Sequence, residues 1–85
     1  MKGKVAVITG ALGALGKVVV EEALSLGTRV ASIDRATSQL AATAERIELG
    51  GIDLTDAAQA KKAIDAAAAH FGAIDALINC RRIYL

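Results

Sequence analysis

The sequence contains no tryptophan, a single phenylalanine and a single tyrosine, so no cluster of large rings can build its core. One cysteine excludes an internal disulfide and fits a reducing cytoplasm, which is the expected location. Neither charge sign dominates: ten basic residues face nine acidic ones, for a net charge of +1. Basic residues are scattered until Arg81-Arg82, which argues against a nucleic-acid partner. Long apolar runs are also missing. Behind Lys2 and Lys4 only Val5 to Ile8 is continuously apolar before Thr9-Gly10, too short for a signal peptide or a membrane span. No membrane partner is expected.

What remains is an apolar, alanine-rich chain of 85 residues, 54% hydrophobic and 22% charged. That composition excludes a disordered chain, and the length sets a ceiling of one small domain. A core with so little aromatic volume is thin at this size. Support from a ligand, an oligomer or further chain is expected.

The apolar pattern alternates between two periods. Val5 to Ile8 suits a strand buried on both faces of a parallel sheet. From about Ala14 to Leu26 the period becomes helical, with Leu15, Val18, Val19, Ala23 and Leu26 forming the apolar face and Lys17, Glu21 and Glu22 turned outward; Gly27 is the stop signal. Val30 to Ile33 is a second strand. Thr37 or Ser38 caps a modest helix to about Ala44, and Ile47 to Ile52 is a third strand weakened by Gly50 and Gly51. Thr55 caps a helix from Asp56 to about His70, and Ile74 to Ile78 is the fourth strand.

This order, β-α-β-α-β-α-β, predicts a Rossmann-like α/β/α three-layer fold. With right-handed crossovers the parallel sheet has the order 3-2-1-4, the first half of a doubly wound fold. A ligand then binds beyond the C-terminal ends of the strands, where the strand order reverses.

The turn after strand 1, Thr9-Gly10-Ala11-Leu12-Gly13-Ala14-Leu15-Gly16, lies where that geometry places a phosphate. Gly10 permits a tight turn, small residues at 13 and 14 let the main chain approach a pyrophosphate, and Gly16 allows close packing of helix on strand. A glycine-rich stretch alone is a weak signal; the flanking strand and helix give it meaning. Asp34 follows strand 2, eighteen residues after Gly16, near the spacing of about 20 for a carboxylate that accepts ribose hydroxyls. Its charge repels a 2′-phosphate, so NAD is expected in preference to NADP, with the neighbouring Arg35 as the residue that could serve such a phosphate.

These elements resemble the short-chain dehydrogenases/reductases. Thr9-Gly10-x-x-x-Ala14-x-Gly16 is similar to the family's TGxxx[AG]xG motif, and Gly13 adds the spacing seen in its extended members. Asp53-Leu54-Thr55 resembles the D-[VL]-T element, and Phe71-Gly72-x-Ile74-Asp75-x-Leu77-Ile78-Asn79 the stretch that leads into N-N-A-G. The resemblance covers residues 3 to 79 and implies a nicotinamide dinucleotide as cofactor and partner. It implies that Gly10, Leu12, Gly13, Ala14, Leu15 and Gly16 line the pyrophosphate, Asp34 and Arg35 the ribose, Asp53 and Leu54 the adenine, and Asn79 the second ribose.

The resemblance stops at Cys80. The family's catalytic Ser, Tyr and Lys lie beyond strand 4, and no residue here stands at a matching position; Tyr84 has no Lys four residues on. No catalytic or metal-binding residue is therefore expected. Residues 1–79 are expected to form a partial dinucleotide-binding domain and residues 80–85 a tail foreign to the family. A shifted reading frame is one account of the change, and the source DNA would show it. A strand 4 without an outer neighbour favours self-association, so the alternative to a nucleotide-binding portion is an interaction module that forms a homo-oligomer.

Overall fold

The computed structural model describes residues 2–36 and 42–80. Strand β1 (Val5–Thr9) leads into helix α1 (Ala14–Ser25), then β2 (Arg29–Ile33), β3 (Arg46–Leu49), helix α2 (Ala57–Phe71) and β4 (Ala76–Asn79). The strands form one parallel sheet in the order β3-β2-β1-β4, as the crossover rule requires.

β1 is central, with β2 on one side and β4 on the other, and all five of its residues are buried. That is why it reads as an unbroken apolar run. Its side chains alternate between two cores. Val7 joins Ala31 and Ile33 of β2 beneath Ala63 and Ala67 of α2. Ala6 and Ile8 join Ala11 and Val30 on the opposite face, where Val19, Val20, Ala23 and Leu24 of α1 pack. With one of the described helices on each face, the three layers form around small side chains. Ala63 and Ala67 let α2 lie close to the sheet, replacing aromatic bulk with short distance.

Both helices end on glycine. After α1, Gly27 takes a φ of 81° and donates to the Leu24 carbonyl, while Thr28 N–H donates to that of Ala23, the paired bonds of a Schellman stop. After α2, Gly72 takes the left-handed conformation at φ 83°, and its N–H donates to the Ala68 carbonyl.

Several local expectations are corrected. The inward face of α1 is Gly16, Val19, Val20, Ala23 and Leu24, so Leu15, Val18 and Leu26 remain 64%, 62% and 58% exposed. Helical spacing marked an apolar stripe, but the sheet sits about a quarter turn away from its middle. The α2 cap is Asp56, whose carboxylate accepts from Ala58 and Gln59 N–H. Thr55 turns back, its N–H and hydroxyl both donating to Asp53 Oδ1. β3 ends at Leu49, since Gly51, at φ 69°, turns its N–H to the Ala36 carbonyl. β4 begins at Ala76, because the Asp75 carboxylate is spent on the Val5 N–H at 2.9 Å.

The helix expected from 37 to 44 falls mostly on residues 37–41, outside the described residues. Residues 42–44 are not helical. There the Thr43 hydroxyl oxygen accepts from the Glu45 and Arg46 N–H groups and forms the turn that starts β3.

Candidate functional site

The strand order reverses between β2–β1 and β4, and at that point a cleft of about 740 Å³ opens at the C-terminal ends of the strands. Such a volume is in the range of small-molecule sites. Gly10, Leu12 and Gly13 form one wall, Asp34 and Arg35 a second, Asp53 and Leu54 a third, and Asn79 closes the side toward β4. The fold thus gathers eight of the eleven candidate positions from four separate stretches of sequence.

The other three lie behind that wall. Ala14 opens α1 and Leu15 points outward, 64% exposed. Gly16 is buried beneath the turn. A Cβ there would stand 2.1 Å from the Gly10 carbonyl oxygen and 2.7 Å from Ala11 Cα, so only glycine lets α1 approach β1 this closely.

The two helix starts differ in a way that matters for anions. At α2, Asp56 satisfies the first-turn amides. At α1 the N-cap is Gly13, no side chain caps the turn, and no acidic residue lies in it. The α1 start therefore presents first-turn N–H donors that no side chain caps, at the positive end of its dipole, beside the cleft.

Across the cleft, carboxylates are held in fixed positions. Asp34 Oδ2 accepts from Leu12 N–H at 2.9 Å, and Oδ1 accepts from Ala36 N–H at 3.0 Å. Asp53 Oδ1 accepts from Thr55, and its Oδ2 faces Arg35 at 3.9 Å. The Asp53 N–H donates to Gln59 Oε1 at 2.9 Å. Asn79 Oδ1 accepts from the Thr9 hydroxyl at 2.9 Å. No group of His, Cys, Asp and Glu among the described residues is arranged to hold a metal ion, and no described helix is long and apolar enough to cross a membrane.

The sequence places Thr9 and Asp75 inside motifs without giving either a contact, and assigns no role to Gln59 or Cys80. Gln59 carried a signal, because Asp56-x-x-Gln59 has capping-box spacing. Thr9 and Asp75 act through partners seventy positions away, which no local pattern reveals. Cys80, half-buried, lines the cleft past the end of β4.

A parallel sheet with a glycine-rich turn and an uncapped helix start at its reversal point defines a Rossmann-type domain. Comparison with known proteins narrows this class. Residues 4–82 match the short chain dehydrogenase family, and the chain belongs to it. D-threitol dehydrogenase of Mycolicibacterium smegmatis is 36% identical over 88 residues, covering 93% of this chain and 33% of that protein. The short-chain dehydrogenase/reductase of Serratia marcescens superposes with a TM-score of 0.82 at 30% identity, over 99% of this chain and 38% of that one. A 3-ketoacyl-(acyl-carrier-protein) reductase of Brucella melitensis, solved with NADH, gives 0.78 at 26% identity, over 89% of this chain and 33% of that one. The chain spans about a third of the length of the curated relatives it matches. The family is one of oxidoreductases that bind nicotinamide dinucleotides.

Proposed function

We propose that this chain is the NAD-binding portion of a short-chain oxidoreductase and performs no hydride transfer by itself. One observation carries the reading: the turn, Asp34 and Asp53 converge on a single cleft at the sheet's reversal point. The residues fit the cofactor, since uncapped amides at the α1 start suit a pyrophosphate. In this assignment the main chain from Gly10 through Gly16 follows the pyrophosphate, with Leu12 shaping the turn. Asp34 accepts the adenosine ribose hydroxyls, Asp53 and Leu54 border the adenine, and Asn79 borders the nicotinamide ribose. Bound nicotinamide supplies the hydride chemistry, and the family's Tyr and Lys have no counterpart here.

The NAD preference rests on charge. The Asp34 carboxylate would repel a 2′-phosphate, while Arg35 faces Asp53 at 3.9 Å. A cytoplasmic setting, in which a lone thiol stays reduced, completes the assignment. The test is thermal denaturation with NAD, NADP and AMP. NAD at about 100 times its dissociation constant should stabilise the fold by roughly 2.7 kcal/mol, and NADP at the same concentration by less. If none of the three nucleotides raises the melting temperature, the proposal fails.

A second reading, self-association, is favoured by a separate observation. Leu77 on β4 is 64% exposed, and β4 is an edge strand of the sheet among the described residues. An open edge that carries an exposed apolar side chain favours pairing with a second copy. Sedimentation should show a homo-oligomer that Leu77→Lys weakens; a monomer at all concentrations would exclude it.

A further inference from the structure

Asp34 is bonded on every side. Its carboxylate accepts from Leu12 and Ala36 N–H, its own N–H donates to the Leu49 carbonyl at 3.2 Å, and its carbonyl accepts from Ile52 N–H at 3.0 Å. One residue thus joins the β1–α1 turn, the exit of β2 and the turn after β3.

The bond to Leu12 stands out among those that hold the glycine-rich turn. The N–H groups on either side of Leu12 make longer bonds, Ala11 N–H to the Ile33 carbonyl at 3.4 Å and Gly13 N–H to the Gly10 carbonyl at 3.2 Å. At 2.9 Å the Leu12–Asp34 bond is the shortest of these, and its acceptor is ionised, which roughly doubles the strength of a hydrogen bond. Leu12 lies between Gly10, at φ 66°, and Gly13, the N-cap of α1. Glycines on both sides leave the turn many alternatives, and the carboxylate selects one.

We propose that Asp34 is the positioning residue of the glycine-rich turn, holding Leu12 N–H so that the start of α1 meets the phosphates at a fixed height. Phosphate recognition then depends on a carboxylate that touches no phosphate. The inference rests on the nucleotide-binding reading above and gives Asp34 a role separate from the ribose. Each carboxylate oxygen accepts one amide and keeps a second lone-pair direction, so both roles can be served together.

The test uses Asp34→Ala and Asp34→Asn with two readouts. In the ligand-free protein, amide exchange at Leu12 should quicken roughly tenfold or more in Asp34→Ala, the equivalent of one lost hydrogen bond to a charged group. Asp34→Asn, which keeps one acceptor oxygen, should restore part of the protection. The second readout is affinity for 2′,3′-dideoxy-ADP, whose sugar offers neither hydroxyl to the carboxylate. Asp34→Ala should weaken this ligand about fivefold, with partial rescue in Asp34→Asn. Unchanged or tighter dideoxy-ADP binding in Asp34→Ala would show that Asp34 serves the ribose alone and would overturn the proposal. Unchanged Leu12 exchange would overturn it whatever the ligand does. If the unaltered chain binds neither NAD nor dideoxy-ADP, the nucleotide reading itself fails, and the phosphate role falls with it.

Discussion

The Thr9 hydroxyl donates a 2.9 Å hydrogen bond to the Asn79 side-chain oxygen, joining residues seventy positions apart where β1 and β4 enter the cleft. At the other end of the same two strands, Val5 N–H donates to the Asp75 carboxylate and Asp75 N–H donates to the Val5 carbonyl. Side chains therefore pin the β1–β4 pair at both ends, and its register of Val7 opposite Leu77 is doubly fixed.

Replacing Thr9 tests one of these pins. Thr9 is 7% exposed, so Thr9→Val keeps the shape and loses the donor. The loss should be about 1 kcal/mol in urea unfolding, and Thr9→Ser should recover most of it.

Gly16→Ala should be far more damaging. Its Cβ would meet the Gly10 carbonyl oxygen and the Ala11 main chain, groups that cannot rotate away, so α1 must shift off β1. A cost of about 3 kcal/mol is expected. Circular dichroism would show a melting temperature well below that of the parent, and an unchanged value would contradict the close approach.

The two candidate caps of α2 separate cleanly. Asp56→Ala strips the acceptor from Ala58 and Gln59 N–H and should destabilise by about 1 kcal/mol. Thr55→Ala leaves those bonds intact. In a matched pair of denaturation curves Asp56→Ala should fall below Thr55→Ala; the reverse order would return the cap to Thr55.

Ser32 offers the opposite outcome. It is 4% exposed, and its hydroxyl has no hydrogen-bond partner among the described residues. A buried polar atom without a partner is a cost, so Ser32→Ala should leave stability unchanged or raise it by about 1 kcal/mol. A clear loss on denaturation would reveal a bond at that hydroxyl.

The sheet order was legible in the sequence because β1, β2 and β4 each contain a short apolar run bounded by glycine or a turn residue, β3 alternates charged and apolar residues, and crossover handedness limits the arrangements left. The cleft was legible for a related reason: Gly10 and Asp34 directly follow β1 and β2, Asn79 ends β4, and Asp53 comes four residues after β3. What stayed hidden depended on distance or angle. Leu15 and Val18 share helical spacing with Val19 and Ala23, yet spacing does not say where around the helix the sheet lies. Thr55 and Asp56 are both good caps, and only the path of the chain past Asp53 decides between them. The tie from Leu12 to Asp34 crosses twenty-two positions and leaves no local pattern.

The central place of β1 also bears on how the chain is made. β1 leaves the ribosome before the other described strands, yet one of its two neighbours is built from residues 76–79. β2 can join it early, through the short connection over α1. β4 must return across seventy residues, a closure whose length-dependent entropy is about 4 kcal/mol. During synthesis the nascent sheet therefore waits with its most apolar strand open on one side. Any folding helper that binds exposed strand edges would find its target there, and would lose it when Asp75 and Asn79 engage.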